Sequence, residues 1–274
     1  MNPVTPYLET AGVLVVAVAG FLLGWRVGKR TKGWMWAAAY AAPLILTLAI
    51  AVARRIPSLE FTIPFKWIMM DRMEFVVLAF LITFMLTIPA ARLTSIRQQR
   101  FVITFMWLVI VNYALLPFLM PGLNYAYLRD LKNTMARGGI CLQSTDYTCG
   151  PAAAVTALKQ LGVTAEEGKL AILAHTTRIA GTPPDSLCAA INRLHQAEGI
   201  RCTYREYQSI AEIKQVPVIA VVKFGFLVDH YVTVLEVTDT TVEIGDPLEG
   251  KVSLSHSKFN NQWRRCGILV EKRH

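Results

Sequence analysis

The hydrophobic pattern changes character halfway along the chain. Over the first 120 positions apolar residues come in unbroken runs, Leu8–Trp25, Trp34–Ala53, Met73–Ala91 and Phe101–Met120. Beyond about position 140 they recur at helical spacing or in alternation instead. Each run has roughly the 17–25 residues that cross a hydrocarbon core. Tyr7, Trp25, Trp34, Trp36 and Trp67 flank the runs as amphipathic rings suited to an interface, and Arg and Lys close the ends. A buried soluble core is the competing explanation, and four such runs in so short a stretch argue against it. The first run is not patterned as a cleaved signal, because no Lys or Arg precedes it and its charges follow.

The second half reads as small alternating elements. Gly150–Leu161 is an alanine-rich helix with Pro151 in its first turn and Gly162 as its stop. Ala165–Ala174 is a shorter helix, and Asp185–Glu198 an amphipathic one with Leu187, Ile191 and Leu194 inward. Strands are predicted at Ile200–Tyr204, Val216–Phe224, His230–Val237, Thr241–Gly245 and Gly267–Glu271, with a small helix near Ile210–Gln215 and a hairpin turn at Thr238-Asp-Thr. Helices followed by an antiparallel sheet make an α+β domain. The expected organisation is a four-helix transmembrane domain over 1–121, a linker over 122–138 rich in Gly and Asn, and a globular domain over 139–274.

Charge reinforces that division. The 274 residues carry a net +9, which on its own suggests nucleic acid. Residues 1–140 hold 14 Lys/Arg against 5 Asp/Glu, whereas residues 141–274 hold 14 of each. The excess therefore belongs to the loops between apolar runs, where it reports topology rather than phosphate binding. A mean hydropathy of +0.40 agrees. The two orientations tie at seven Arg/Lys each, the opposite one counting Arg54, Arg55, Lys66, Arg72, Arg129, Lys132 and Arg137; because the loops Arg26–Gly33 and Arg92–Arg100 are shorter, denser and free of acids, the N-terminus is expected outside and the C-terminal domain outside the cytoplasm. The loop Arg54–Arg72, with Pro57, Phe61, Pro64 and Trp67, is expected to lie on the bilayer surface facing the second domain. The interiors of the runs carry no charge, Asn112 being the most polar group, which favours anchoring over a transport path.

Chemistry concentrates around Cys141-Leu-Gln-Ser-Thr-Asp-Tyr-Thr-Cys149-Gly-Pro-Ala-Ala-Ala. Cys149 opens a helix, where unpaired N–H groups and partial positive charge favour a thiolate. A thiol nucleophile needs an imidazole, a group to orient it and donors for an oxyanion. His230 opens one strand of a predicted hairpin and Asp246 ends the other, which makes them neighbours across an antiparallel pair. Asp229 is rejected as orienter because adjacent strand residues face opposite ways. Gln143, six residues before Cys149, is placed to join the Cys149 backbone N–H at an oxyanion.

The set Gln143-x5-Cys149-Gly150-Pro151-Ala152, Asp229-His230-Tyr231-Val232-Thr233-Val234 and Gly245-Asp246-Pro247 resembles the bacteriocin-processing cysteine peptidases. These are papain-like domains that cut leader peptides after a Gly-Gly pair. The resemblance covers roughly residues 139–271 and implies Cys149 as nucleophile, His230 as base, Asp246 as its partner and Gln143 as oxyanion donor. Two features depart from the family pattern. Four apolar runs precede the domain, and no G-x-x-x-x-G-K-[ST] run of an ATPase occurs.

The expected function is thus a membrane-anchored thiol endopeptidase of a bacterial inner membrane, processing a leader or membrane-proximal peptide without metal or cofactor. The expected partners are a membrane-associated peptide substrate, the bilayer and a separate exporter. Two alternatives stay open: a catalytically silent papain-like peptide receptor or scaffold, and acyl transfer by the same machinery. A zinc site is disfavoured because no Cys-x2-Cys pair occurs. His175, His195 and His256 read as surface or loop histidines. Gly138-Gly139 reads as flexible linker rather than a self-cleavage site. Cys141, Cys188, Cys202 and Cys266 would be disulfides in an oxidising compartment or small buried hydrophobes in a reducing one.

Overall fold

The structure is a computed structural model that describes residues 4–225 and 228–273. The chain divides into two compact units, one ending at Leu123 and the other starting at Asn124.

The first unit is helical. Among the described residues, helices α1 (Thr5–Arg30), α2 (Met35–Ala53), α5 (Met73–Ala90) and the continuous Ile96–Leu123 are the four long and apolar enough to cross a membrane. The short helices α3 (Pro57–Glu60) and α4 (Phe65–Met69) fill the loop between α2 and α5. The fourth long helix comprises α6 (Ile96–Ile110), a π-helical turn over Val111–Leu115 and α7 (Leu116–Leu123). Asn112 lies in that turn and donates to the Leu108 carbonyl (2.8 Å). Small residues set the packing of α1 against α5. A Cβ on Gly24 would lie 2.5 Å from the Phe84 carbonyl, and one on Gly28 2.5 Å from that of Ile88. The stripe Gly20, Gly24, Gly28 brings two backbones into direct contact, as small residues four apart do in membrane helix pairs. Arg92 then reaches the carbonyls of Gly28 (3.1 Å) and Thr31 (2.9 Å) at the end of α1, where a cation suits the helix C-terminus.

The second unit opens with α8 (Tyr125–Arg129) and a two-residue strand pair, β1 (Thr134–Met135) with β2 (Cys141–Leu142). Helices α9 (Cys149–Gln160), α10 (Glu167–Leu173) and α11 (Pro184–His195) follow. The sheet consists of β3 (Ile200–Glu206), β4 (Val218–Gly225), β5 (Val228–Val237), β6 (Thr241–Asp246), β7 (Gly250–Ser255) and, after helix α12 (His256–Gln262), β8 (Trp263–Lys272). Its order is β3-β8-β4-β5-β6-β7 and every pairing is antiparallel. Alternation along β4 and β5 sends Val218, Ala220, Val222, Val232 and Val234 into one cluster with Tyr207, Phe259 and Trp263. The unit is an α+β domain with an antiparallel sheet, as the order of its helices and strands predicts.

Three features differ from the sequence expectation. Of the stretch 122–138, Gly122 and Leu123 end α7 in the first unit, and 124–138 contain α8 and β1 and join the second unit. Leu128 is buried in a cluster with Ala171 and Ile172, packed by Tyr125, Leu131 and Tyr147, and the Leu128 carbonyl touches the position a Cβ on Gly168 would take. Second, β7, α12 and the first turns of β8 were not anticipated. Their segments are polar and rich in Asn, Ser and Lys; β7 gains order by pairing with β6, β8 by pairing with β3 and β4, and α12 by burying Phe259, with Ser255 Oγ capping it through the Lys258 N–H (3.3 Å). Third, His195 is buried rather than superficial and bonds Glu198 Oε1 through Nδ1 (2.9 Å).

Candidate functional site

Cys149 is the first residue of α9, after a tight loop held by its own side chains. The Thr145 N–H donates to Thr148 Oγ1 (3.1 Å) and the Tyr147 N–H to Thr145 Oγ1 (3.4 Å). The buried Glu167 of α10 clamps the loop from outside, accepting the Ser144 N–H (2.9 Å) and Oγ–H (2.6 Å). Asn133 Oδ1 in turn accepts the Glu167 N–H (2.8 Å). Nothing in the local sequence pattern announces Glu167, since its partner lies 23 residues earlier.

The helix behind Cys149 is fixed to the sheet at close range. Thr233 of β5 donates to the Ala153 carbonyl (2.8 Å). Tyr231 Oη donates to the Thr182 carbonyl (2.8 Å), and a Cβ on Gly150 would meet Thr182 at 3.0 Å. The run Gly150-Pro-Ala-Ala-Ala thus lets the first turn of α9 settle against its neighbours without bulk. β5 carries His230 one residue before Tyr231, so these contacts also set the distance between thiol and imidazole.

His230 is buried, with its ring bonded to Asp246 and the Cys149 thiol close enough to act on its charge. Nε2 lies 2.9 Å from Asp246 Oδ1, which leaves Nδ1 for the thiol. Burial by itself would lower the imidazole pKa. The contacts with Asp246 and Cys149, with their charges, outweigh it and push the value up to about 9. Burial likewise opposes the charge on Asp246, but the bond from His230 and the N–H groups of Leu248 and Glu249 hold its carboxyl below the usual range. The Leu248 N–H reaches the same Oδ1 at 2.8 Å. Asp229 faces away, as alternation requires, and pairs with Arg264 Nη2 (2.7 Å). The exposed Phe224 ring lies against the imidazole, centroids 5.4 Å apart.

Gln143 is tied to the same turn, its N–H donating to the Pro247 carbonyl (3.0 Å). Its Nε2 donates to the Thr145 carbonyl (2.7 Å), and its Oε1 is buried with no hydrogen-bond partner among the described residues. One amide hydrogen is therefore committed to the loop and one remains. Gly138-Gly139 lies elsewhere. Gly139 rests against the Lys159 side chain at the other end of α9, about 15 Å along the helix axis from Cys149. Ile140 beside it is buried, and its carbonyl accepts the Ala136 N–H (2.8 Å).

The family model described as the Peptidase C39 family matches residues 137–274. An uncharacterized protein of Methanothermobacter marburgensis is 32% identical over 143 residues, 52% of this chain and 95% of the relative. One from Methanothermobacter thermautotrophicus is 29% identical over 133 residues, 48% of this chain and 88% of the relative. Among solved structures, the peptidase domain of Streptococcus ComA, a bi-functional ABC transporter involved in a quorum-sensing pathway, aligns with 22% identity. It covers 48% of this chain and 96% of that one at a TM-score of 0.43. A double-glycine-motif protease from an AMS/PCAT transporter, in complex with a leader peptide, aligns with 15% identity over 52% of this chain and all of that one, at a TM-score of 0.42.

Proposed function

The chain belongs to the Peptidase C39 family, and we propose that it is a membrane-anchored cysteine endopeptidase that removes a leader or membrane-proximal segment from a peptide substrate. The observation that carries this reading is the buried His230 ring, held by Asp246 at 2.9 Å and raised in pKa by both Asp246 and Cys149.

In this mechanism His230 holds the Cys149 proton and Asp246 fixes the ring so that Nδ1 faces the sulfur. The thiolate attacks the scissile carbonyl, forming the carbon–sulfur bond. The oxyanion is met by the Cys149 N–H in the first turn of α9 and by the uncommitted amide hydrogen of Gln143. His230 passes its proton to the leaving amine as the peptide bond breaks, leaving a thioester on Cys149. Water, deprotonated by His230, then releases the acid product and the thiol.

The test is cleavage by the full-length chain in its own membranes. Cys149→Ala should abolish new peptide termini and iodoacetamide labelling at that position while the thermal transition persists. Retained proteolysis refutes the mechanism, and a Cys149 that resists the reagent in the parent chain favours a peptide receptor. Gln143→Ala should slow cleavage about 10²–10³-fold, and a loss under threefold removes it from the oxyanion site.

The four apolar helices are proposed as the anchor in a bacterial inner membrane, with the N-terminus and the peptidase unit outside the cytoplasm. The arginine-rich loops after α1 and α5, which contain no acids, support this orientation. A separate exporter is the proposed partner that delivers substrate. A reporter fused after His274 that is active only in the cytoplasm should stay silent, and activity there reverses the orientation.

A further inference from the structure

The end of the β4–β5 hairpin carries apolar surface that the core does not use. Phe224 is 64% exposed and Val228 50%. In the antiparallel register Val222 stands opposite His230 and Lys223 opposite Asp229, but the next pair is Gly225 with Val228. Phe224 is therefore the extra residue of a β-bulge, which leaves the ladder and re-aims its side chain. Here the bulge turns the Phe224 ring onto the His230 imidazole, centroids 5.4 Å apart and planes 41° from each other. Val228, two residues before His230, falls on the same face of β5 by alternation. The charged neighbours turn elsewhere. Lys223 Nζ donates to the Asn261 carbonyl of α12 (3.4 Å), and Asp229 pairs with Arg264 of β8 (2.7 Å). An exposed apolar wall remains beside His230.

We propose that Phe224 and Val228 receive the side chain immediately after the scissile bond, so that the substrates are peptides with an apolar residue at that position. In the proposed peptidase mechanism, on which this rests, His230 gives its proton to the leaving amine. The nitrogen of the residue after the cut must then come within about 2.6–3.2 Å of the imidazole. The Cβ of that residue is two bonds further on. Its side chain is thereby delivered to the surroundings of the imidazole, where Phe224 lies in contact with the ring and open to solvent.

The chemistry of the wall sets the preference. An apolar side chain laid on it removes its own surface and that of the Phe224 ring from water, at about 25 cal/mol for each Å². An acidic side chain would lose hydration there without gaining a partner, because Lys223 and Arg264 are turned to Asn261 and Asp229. Phe224 thus bears on which bond is cut, while Cys149, His230 and Asp246 bear on the cutting.

The experiment uses the full-length chain in detergent and, as probe, a peptide library made from a bacterial lysate with every amine dimethylated, so that each cut exposes one new N-terminus. Cys149→Ala supplies the background. An enclosed pocket discriminates by about 10–200-fold for a single methylene; an open wall gives less, so Leu, Ile, Phe and Met should be enriched about threefold or more over the library at the new N-terminus, with Asp and Glu depleted. Phe224→Leu, which keeps the wall apolar, should keep that enrichment, and Phe224→Ala should lose most of it. Phe224→Glu should move the preference to Arg and dimethyl-lysine, a gain that a damaged site cannot produce. New termini at library frequencies in the parent chain, or the parent's apolar enrichment persisting in Phe224→Ala and Phe224→Glu, overturns the proposal. New termini no more numerous in the parent than in Cys149→Ala would instead strike the peptidase mechanism, and this proposal with it.

Discussion

His230 has two partners that act on it in the same direction. Both Asp246 and Cys149 favour the protonated ring, and together they outweigh its burial. The folded pKa of about 9 lies above the ordinary 6.5. The stability this contributes is therefore complete below pH 6.5 and is lost as pH rises through about 9. It is on the order of 3 kcal/mol for a shift of this size. Asp246 has the opposite sign: its contribution is present above the ordinary 3.8 and fades as pH falls through its lowered value. For catalysis, the alkaline limb of kcat/KM should fall near pH 9. In Asp246→Ala, which removes the largest favourable contribution, that limb should move down by one unit or more. A limb that stays near 9 in the variant would separate Asp246 from the proton on His230. Much at this scale was legible in the sequence. Strand alternation alone chose Asp246 over Asp229, and Arg264 now accounts for the latter. The hydrogen bond from Gln143 to Thr145 was not legible, because it depends on how a six-residue loop folds back on itself.

At the scale of elements, the helix that Cys149 opens and the strands carrying His230 and Asp246 follow from local rules. Pro151 and Gly162 bound α9, and the apolar alternation of 218–237 makes a hairpin. What holds the loop before Cys149 does not follow from local rules. Glu167 reads as an ordinary residue at the start of a short helix, yet it is fully buried and gives both carboxylate oxygens to Ser144. Removing it leaves two donors without their charged acceptor, and each such bond is worth about 1.5–3 kcal/mol. Glu167→Ala should therefore lower both the thermal transition and kcat, by tenfold or more in the latter, as the loop carrying Gln143 loosens. Glu167→Gln, which keeps one acceptor, should recover most of the transition temperature. A kcat unchanged in Glu167→Ala would mean the loop holds its shape without this clamp. The missed strand β7 and helix α12 have the same origin as Glu167: their order comes from packing at a distance, not from their own pattern.

At the scale of the molecule, the charge split and the change of hydrophobic pattern fall close to the boundary that the contacts draw between Leu123 and Asn124. The segment after that boundary was the weakest part of the sequence reading. Its glycines and asparagine suggested a tether, while Tyr125, Leu128 and Leu131, three apart, already carried a helical stripe. That stripe packs on α10 and Tyr147, two residues from Cys149, so the residues that follow the last apolar helix are part of the peptidase unit.

The place of Gly138-Gly139 has a kinetic consequence. The pair is pinned at the opposite end of α9 from Cys149, with Ile140 buried beside it. One copy of the chain therefore cannot present this dipeptide to its own Cys149 without unfolding the start of the domain. Any scission there by the proposed activity must be an encounter between two molecules, second order in the chain. At low surface density in a vesicle the chain should stay intact indefinitely, and clipping at Gly139, if it occurs, should accelerate with the square of the number of copies packed into the same bilayer.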